Sequence, residues 1–237
     1  MIVKYIRRAL RKFNYELLKY PYGDHAKRME IIKQFDIQII LDVGANIGEF
    51  ATTMREIGYK DKIVSFEPRK HAFSELLHKA ESDSNWRCLN IALGDIDCTS
   101  IINISGNSPS SSILEMNQIH IESRPISKYI GKEEIVVKRL DSVISELIEK
   151  DKDIYLKIDT QGFEKQVLEG AKGAFQNIRA IQLEMSLVEL YRGSMLIYNM
   201  IPYMENKGFF LSSLERGFYD PKSKRLLQVD GIFIRLD

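Results

Sequence analysis

The sequence has only two cysteines in 237 residues, Cys88 and Cys98, and this scarcity argues against most metal and disulfide chemistry. Neither belongs to a Cys-x-x-Cys pair or lies beside a histidine cluster, so we predict no zinc site and two reduced thiols. The chain also lacks an apolar run long enough to span a bilayer, and its N-terminal stretch does not resemble a secretory signal. These absences predict a cytoplasmic protein.

An excess of one charge sign is lacking too, because 34 Lys and Arg nearly balance 33 Asp and Glu, for a net charge of +1. This balance provides no field that would attract nucleic acid, and the aromatic residues do not alternate with basic ones as a strand-binding groove requires. We therefore expect no nucleic-acid partner. With 44% hydrophobic residues, the chain is long enough for one α/β domain and too short for two comfortable ones.

Apolar runs alternate with helical patterns along the chain, which is typical of an α/β fold with a mainly parallel sheet. The predicted strands begin at residue 39 and continue with 62–68, 86–91, 154–158 and 178–183. A helix is predicted over 195–206, and residues 209–214 and 229–235 are predicted to form a closing antiparallel pair.

The first predicted strand ends in a turn that carries one acid and two glycines, Asp42, Gly44 and Gly48. Such a turn is where an open α/β sheet binds a nucleotide-like ligand. A dinucleotide site would have a third glycine, so that bare backbone could meet the pyrophosphate. That glycine is missing here and Asp42 would repel phosphate, so the pocket suits a ligand with cationic groups. S-adenosylmethionine, with a sulfonium, an amino group and no phosphate, fits both features.

Glu67 ends the second predicted strand, 19 residues beyond Gly48. A carboxylate at this place can accept hydrogen bonds from both hydroxyls of a ribose. The same spacing would serve NAD, so Glu67 indicates adenosine rather than methyl transfer. These residues leave two alternatives open, namely glycines that serve packing alone and an NAD-dependent oxidoreductase.

Several stretches resemble, in order, the motifs of the FkbM-type S-adenosylmethionine-dependent methyltransferases. They are LDVGANIG (41–48), SFEP (65–68), ALGD (92–95), LDS (140–142), KIDTQGFE (157–164) with VLEGA (167–171), and VDGIFIR (229–235). The resemblance implies a Rossmann-like class I methyltransferase fold, an α/β fold with a mainly parallel seven-stranded sheet and an antiparallel closing strand. One departure is Thr160-Gln161-Gly162, where the family usually has Val-Glu-Gly, and it puts an acid-base role at position 161 in doubt.

For the cofactor, we predict that Asp42, Gly44, Ala45, Asn46 and Gly48 form the turn that holds the methionine end. Glu67 would hold the ribose. Pro68, which follows Glu67, is also assigned to the cofactor site, and the resemblance implies that the segment around Asn90 to Ala92 flanks the adenine. It also implies an acceptor oxygen, often a sugar or polyketide hydroxyl, and S-adenosylhomocysteine as the product. A non-catalytic domain that binds adenosyl ligands is the alternative.

Asp159 and Glu184 end the fourth and fifth predicted strands at the same edge of the sheet. One of them could serve as a general base, with a pKa raised in a dry site. Both, with Glu164, could instead bind a divalent cation, although we do not favour a metal because no compact acid cluster is visible. A purely structural role is the third alternative. His120 is the only histidine placed to be a base.

Two segments lie outside the predicted sheet, so we divide the chain into an N-terminal helical extension (1–34) and a methyltransferase domain (35–237). An insertion at 105–134 contains a serine-rich stretch and apolar residues, and we expect it to cover the site. At the N-terminus, Ile2, Ile6, Leu10, Phe13 and Leu17 recur at helical spacing among basic residues. This helix could dock on the domain, on a second copy in a homodimer, or, through residues 1–20, on anionic lipid.

Overall fold

The computed structural model describes residues 2–15, 20–21, 23–149 and 152–236. Its first helix, α1 (Ile2–Arg11), is shorter than the predicted pattern, which continued through Phe13 and Leu17. Asn14 adopts a left-handed φ of 62°, and the Tyr15 amide donates to the Leu10 carbonyl at 3.0 Å. An asparagine in this conformation is a common helix terminator. Phe13 therefore lies beyond the helix, and Leu17 lies outside the described residues.

Ten strands and seven further helices follow in the described part of the chain. The strands are β1 (Ile39–Val43), β2 (Lys62–Phe66), β3 (Trp86–Leu89), β4 (Ala92–Leu93), β5 (Cys98–Ser105), β6 (Tyr129–Lys138), β7 (Ile154–Ile158), β8 (Ile178–Ser186), β9 (Phe209–Arg216) and β10 (Gln228–Arg235). The helices are α2 (Gly23–Gln34), α3 (Glu49–Glu56), α4 (Lys70–Ala80), α5 (Gln118–Ser123), α6 (Leu140–Leu147), α7 (Glu164–Glu169) and α8 (Ile197–Glu205), with 3₁₀-helices at Pro125–Ser127 and Lys172–Asn177.

Seven strands form the main sheet in the order β3-β2-β1-β7-β8-β10-β9. The pairs from β3 to β8 are parallel, and β10 runs antiparallel to both β8 and β9. The predicted fold class, a mainly parallel seven-stranded α/β sheet with an antiparallel closing strand, is confirmed. Because the order reverses beside β1, the carboxyl ends of β1 and β7 border a crevice of the kind that binds ligands in such sheets.

The other three strands form a small sheet in the order β4-β6-β5, which the sequence did not predict. The third predicted strand, 86–91, therefore ends at Leu89, and Ala92 already pairs with Val137 of the small sheet. The insertion is also more regular than expected, because its first residue ends β5 and residues 129–134 belong to β6. Only residues 106–128 connect the two strands.

The two faces of the main sheet differ in polarity. On one face, alternate residues such as Leu41, Val43 and Leu156 belong to a large apolar core. On the other face, Ile40 and Tyr155 pack beneath α2, but the positions nearer the carboxyl edge are polar. Among the described residues, no helix is both long and apolar enough to cross a bilayer.

Candidate active site

The turn after β1 passes unusually close to the end of β7. Gly44 has a φ of +77°, and a Cβ atom built there would lie 1.9 Å from the Asp159 carbonyl oxygen. The Asp159 amide donates to the Val43 carbonyl at 3.0 Å, which fixes this approach. Gly48 has a different function, since a Cβ there would meet the Leu76 side chain at 2.8 Å. Gly44 thus allows the two strand ends to meet, whereas Gly48 allows α3 to pack.

A cavity of about 280 Å³ opens at these strand ends. Seven of the predicted site residues line it, namely Gly44, Ala45, Asn46, Glu67, Pro68, Ala92 and Asp159. Five do not line it, namely Asp42, Gly48, Asn90, His120 and Glu184. Further apolar lining comes from Phe66, Leu93, Ile102, Ile113 and Phe163. The cavity therefore has an apolar end near Ala92 and a charged end near Asp159.

Asp42, predicted to help hold the methionine end of the cofactor, is fully buried and does not line the cavity. Its carboxylate lies 3.2 Å from the Lys157 ammonium, which is its partner in register on β7. Burial raises the pKa of Asp42, and the Lys157 charge opposes that rise. Burial by itself lowers the pKa of Lys157. The neighbouring carboxylates of Asp42 and Asp159 together raise it by more than burial lowers it, so the pKa lies above its ordinary value. A charged lysine, rather than the aspartate, thus faces the cavity.

Glu67 is buried on the cavity wall after β2 and already has protein partners. Its Oε2 accepts a hydrogen bond from the Asn46 amide at 2.8 Å, and its Oε1 accepts from the Arg69 Nε at 2.9 Å. Arg69 also donates to the Asn46 side chain and to the Ser108 carbonyl, at 2.8 and 3.0 Å. Arg69, which was not predicted from the sequence, therefore ties the cofactor turn to the serine-rich segment.

Asn90 supports this corner from outside the cavity. Its side-chain amide donates to the carbonyls of Glu67 and Pro68, both at 2.9 Å. These bonds hold the turn that follows β2. Asn90 therefore supports the backbone at Glu67 and Pro68 rather than lining the pocket itself.

Gln161 lets two carboxyl groups share the edge of the sheet. Its Nε2 donates to Asp159 Oδ1 at 2.8 Å and to Glu184 Oε2 at 2.7 Å, while its Oε1 accepts from the Tyr191 hydroxyl at 2.6 Å. Burial, followed by the charges of Asp159 and Asp230, holds the pKa of Glu184 well above its ordinary value. A glutamate at position 161 could not donate these bonds, so the departure from the family pattern fits this arrangement.

Glu164 closes the loop before α7 rather than pointing into the cavity. Its Oε1 accepts hydrogen bonds from the amides of Thr160 and Gly162, each at 3.0 Å, and burial raises its pKa to about 7. Within the described residues, no group of three or more His, Cys, Asp or Glu side chains is arranged to hold a metal ion.

His120, considered as a base from the sequence, does not line the cavity. The ring is only 2% exposed and packs on Tyr191 and Phe218, with ring centroids 5.2 and 5.4 Å away. Burial, with a smaller effect of the Arg124 charge, lowers its pKa to about 4. Helix α5 places His120 in a satellite apolar cluster, and sequence spacing could not reveal this.

Asp230 and Gln182 also line the charged end of the cavity, and neither was assigned a role from the sequence. Asp230 lies on β10 directly opposite Glu184 of β8. Burial, with the Asp159 charge next, raises the pKa of Asp230 to about 6. Both residues could have been recognised in the sequence as polar residues within apolar strands. Burying a polar group is costly unless it has a partner or a function.

The sequence model of the methyltransferase FkbM domain family matches residues 42–211. The chain is 25% identical over 205 residues to Methyltransferase 1 of Beauveria bassiana, covering 81% of this chain and 79% of that relative. It is 24% identical over 190 residues to the 2-O-methyltransferase NoeI of Sinorhizobium fredii, covering 76% and 77%.

Among solved structures, a Listeria monocytogenes protein assigned as an S-adenosylmethionine dependent methyltransferase superposes with a TM-score of 0.50 at 11% identity. The match covers 91% of this chain and all of that structure. This likeness concerns the fold, which is that of the class I methyltransferases. The family match covers well over half of the chain and includes the Gly44 turn, Glu67 and Asp159. The chain therefore belongs to the FkbM methyltransferase family and is an S-adenosylmethionine-dependent methyltransferase.

Proposed function

We propose that this protein transfers a methyl group from S-adenosylmethionine to a hydroxyl oxygen of a sugar, a polysaccharide precursor or a natural product. The observation that carries the proposal is the position of Asp159, a partly exposed carboxylate on the wall of the same cavity as the Gly44 turn and Glu67. An alcohol needs a base when it attacks, and Asp159 is a partly exposed acid at this edge. The name of the relative NoeI, a 2-O-methyltransferase, supports an oxygen acceptor.

The shape and charge of the cavity fit the cofactor. The apolar end near Ala92, Leu93 and Phe163 suits an adenine ring, and Glu67 between the two ends suits a ribose diol. At the charged end, Lys157 suits the carboxylate of the methionine moiety and Asp230 its amino group. In this proposal Lys157 contacts the methionine end, as was predicted for Asp42. Asp42 instead forms an ion pair with Lys157 that keeps the lysine charged and in place.

The bound cofactor would supply a methyl group on a positively charged sulfur, so the protein itself needs to align the acceptor, exclude water and remove one proton. In this proposal Asp159 accepts the proton of the acceptor hydroxyl. Gln161 donates a hydrogen bond to Asp159 and another to Glu184, and so holds the Asp159 carboxylate in place. Pro109, Ser111 and Ile113 of the insertion also line the cavity, which supports a role of the insertion as its cover.

The Glu67→Ala variant should bind S-adenosylhomocysteine about ten- to a hundredfold more weakly than the parent. The reason is that a hydrogen bond to a charged group contributes about 1.5 to 3 kcal/mol. Titration calorimetry measures the change, and Glu56→Ala, which removes an exposed carboxylate from α3, is the matched control. An unchanged dissociation constant in a folded Glu67→Ala variant would remove the ribose assignment.

The Gln161→Glu variant should transfer the methyl group about tenfold or more slowly than the parent. A carboxylate at position 161 cannot donate the two hydrogen bonds that hold Asp159 and Glu184, and it adds a like charge between them. The single-turnover rate at saturating cofactor tests this. Gln176→Glu, at an exposed position of the second 3₁₀-helix, makes the same change of charge away from the site and should leave the rate unchanged.

An acceptor screen tests the proposed reaction itself. The protein is incubated with S-adenosylmethionine labelled in the methyl group and with a panel of hydroxyl-bearing saccharides, and the labelled product is analysed by NMR. The proposal expects a methyl ether on an oxygen. A methyl group found on nitrogen or carbon would contradict O-methylation, and binding of cofactor without turnover on any acceptor would favour the non-catalytic alternative.

Two further sequence-based predictions accompany this proposal. We infer that residues 35–237 form the catalytic domain, with the insertion at 105–134 as its cover and residues 1–34 as an extension. We also infer that the protein acts in the cytoplasm. Hydrogen exchange across residues 108–129 with and without cofactor tests the cover, because a segment that orders over the ligand exchanges more slowly.

A further inference from the structure

Helix α1 presents apolar side chains that the rest of the described chain does not cover. Val3 is 55% exposed and Ile6 is 44% exposed, and Phe13, just beyond the helix, is 73% exposed. None of these residues belongs to a core cluster of the part of the chain that the structure describes. The described residues therefore leave Val3, Ile6 and Phe13 largely uncovered.

The charges of the same segment all have one sign. Its basic residues are Lys4, Arg7, Arg8, Arg11 and Lys12, and residues 1–15 contain no Asp or Glu. At about 100° per residue, Val3, Ile6 and Leu10 fall on one side of the helix, and Lys4 and Arg8 fall on the opposite side. The side chains of Lys4, Arg8 and Lys12 are exposed. The helix is thus amphipathic, with an open apolar side flanked by positive charge.

We propose that α1 lies on the surface of an anionic lipid bilayer, with Val3, Ile6 and Leu10 facing the acyl chains. Charge complementarity favours lipid over a second copy of the chain, because pairing two α1 helices would bring two sets of like charges together. With ten residues, the helix is far shorter than the roughly 20 residues needed to span a bilayer, so it binds parallel to the surface. This inference does not depend on the proposed acceptor.

The test is co-sedimentation of the full chain with vesicles of phosphatidylcholine alone and of phosphatidylcholine mixed with phosphatidylglycerol. The protein should sediment with the anionic vesicles at low salt and dissociate from them at high salt. It should not sediment with the neutral vesicles. The pair Lys4→Glu and Arg8→Glu should lower the partition coefficient on the order of 30-fold or more, because each basic residue near an anionic surface accounts for about fivefold. Ile6→Glu should lower it as well.

The matched control is the pair Lys60→Glu and Lys79→Glu, which changes the net charge equally at exposed sites outside α1. Its partition should stay close to that of the parent. The proposal is overturned if the parent does not sediment with anionic vesicles, or if the control pair weakens binding as much as the α1 pair. A dimer that Ile6→Glu converts into a monomer, without vesicle binding by the parent, would assign the helix to a second copy instead. Circular dichroism establishes that each variant is folded.

Discussion

Asp159→Asn should remain folded and bind S-adenosylmethionine, yet transfer the methyl group about 10² to 10⁴ times more slowly than the parent, which is the usual cost of removing a positioned base. The side chain of Asp159 is 36% exposed, and its ion pair with Lys157 is long, at 3.6 Å. The amide keeps an oxygen that can accept the hydrogen bond from Gln161. We therefore expect a change of about 1 kcal/mol or less in the free energy of unfolding.

The measurement is single-turnover methyl transfer to an acceptor found in the screen, with cofactor affinity determined in parallel. Asp95→Asn is the matched control, because Asp95 is an exposed aspartate that does not line the cavity. Equal single-turnover rates for the parent and Asp159→Asn would return Asp159 to a structural role. Asp230 would then be the next candidate base, since it lines the same end of the cavity and has a pKa of about 6 after burial.

Gly44→Ala should destabilise the protein by about 3 to 5 kcal/mol, within the range reached by strain and overpacking at buried positions. The methyl group would lie 1.9 Å from the Asp159 carbonyl oxygen, so β1 and β7 would have to separate at their carboxyl ends. A shift of this kind also moves the Asp159 carboxylate and the cofactor turn. We expect any folded fraction of the variant to bind cofactor more weakly than the parent.

Gly208→Ala separates this close approach from simple backbone strain. Gly208 has a φ of +82°, near the +77° of Gly44, but nothing lies within 4 Å of a Cβ atom built there. The Gly208→Ala variant should therefore lose only the free energy of unfolding that an alanine in the left-handed conformation costs, about 1 to 2 kcal/mol. Chemical denaturation of both variants gives the comparison. Equal losses of stability would mean that the contact between Gly44 and Asp159 is not a constraint.

The parts of the fold that the sequence predicted are those with a strong local signal. The central strands β1 and β7 are mostly apolar and buried on both faces, and the glycine or acid that follows each strand marks its end. Those ends place Gly44, Glu67 and Asp159 at one edge of the sheet, where the structure has them around one cavity. Local pattern sufficed because parallel strands share the direction of their carboxyl ends.

The parts that the sequence did not predict depend on contacts between distant segments. Lys157 neutralises Asp42 only because β7 pairs with β1, and strand order is not encoded in either strand alone. Arg69 forms a hydrogen bond with Ser108, which is 39 residues further along the chain. His120 packs against Tyr191, which is 71 residues away in the sequence, and does not line the cavity. The small sheet was not predicted because β4 has only two residues and its partner β6 lies in what looked like an irregular insertion.

The most direct test of the central claim, that this chain is an S-adenosylmethionine-dependent methyltransferase, is calorimetric titration of the parent protein with S-adenosylmethionine, S-adenosylhomocysteine and NAD. We predict saturable binding of the first two ligands at one site per chain. We also predict no binding of NAD, since the Gly44 turn lacks the third glycine that a pyrophosphate requires. Binding of NAD in place of the two adenosyl ligands, or no binding of either adenosyl ligand by the folded protein, would contradict the claim.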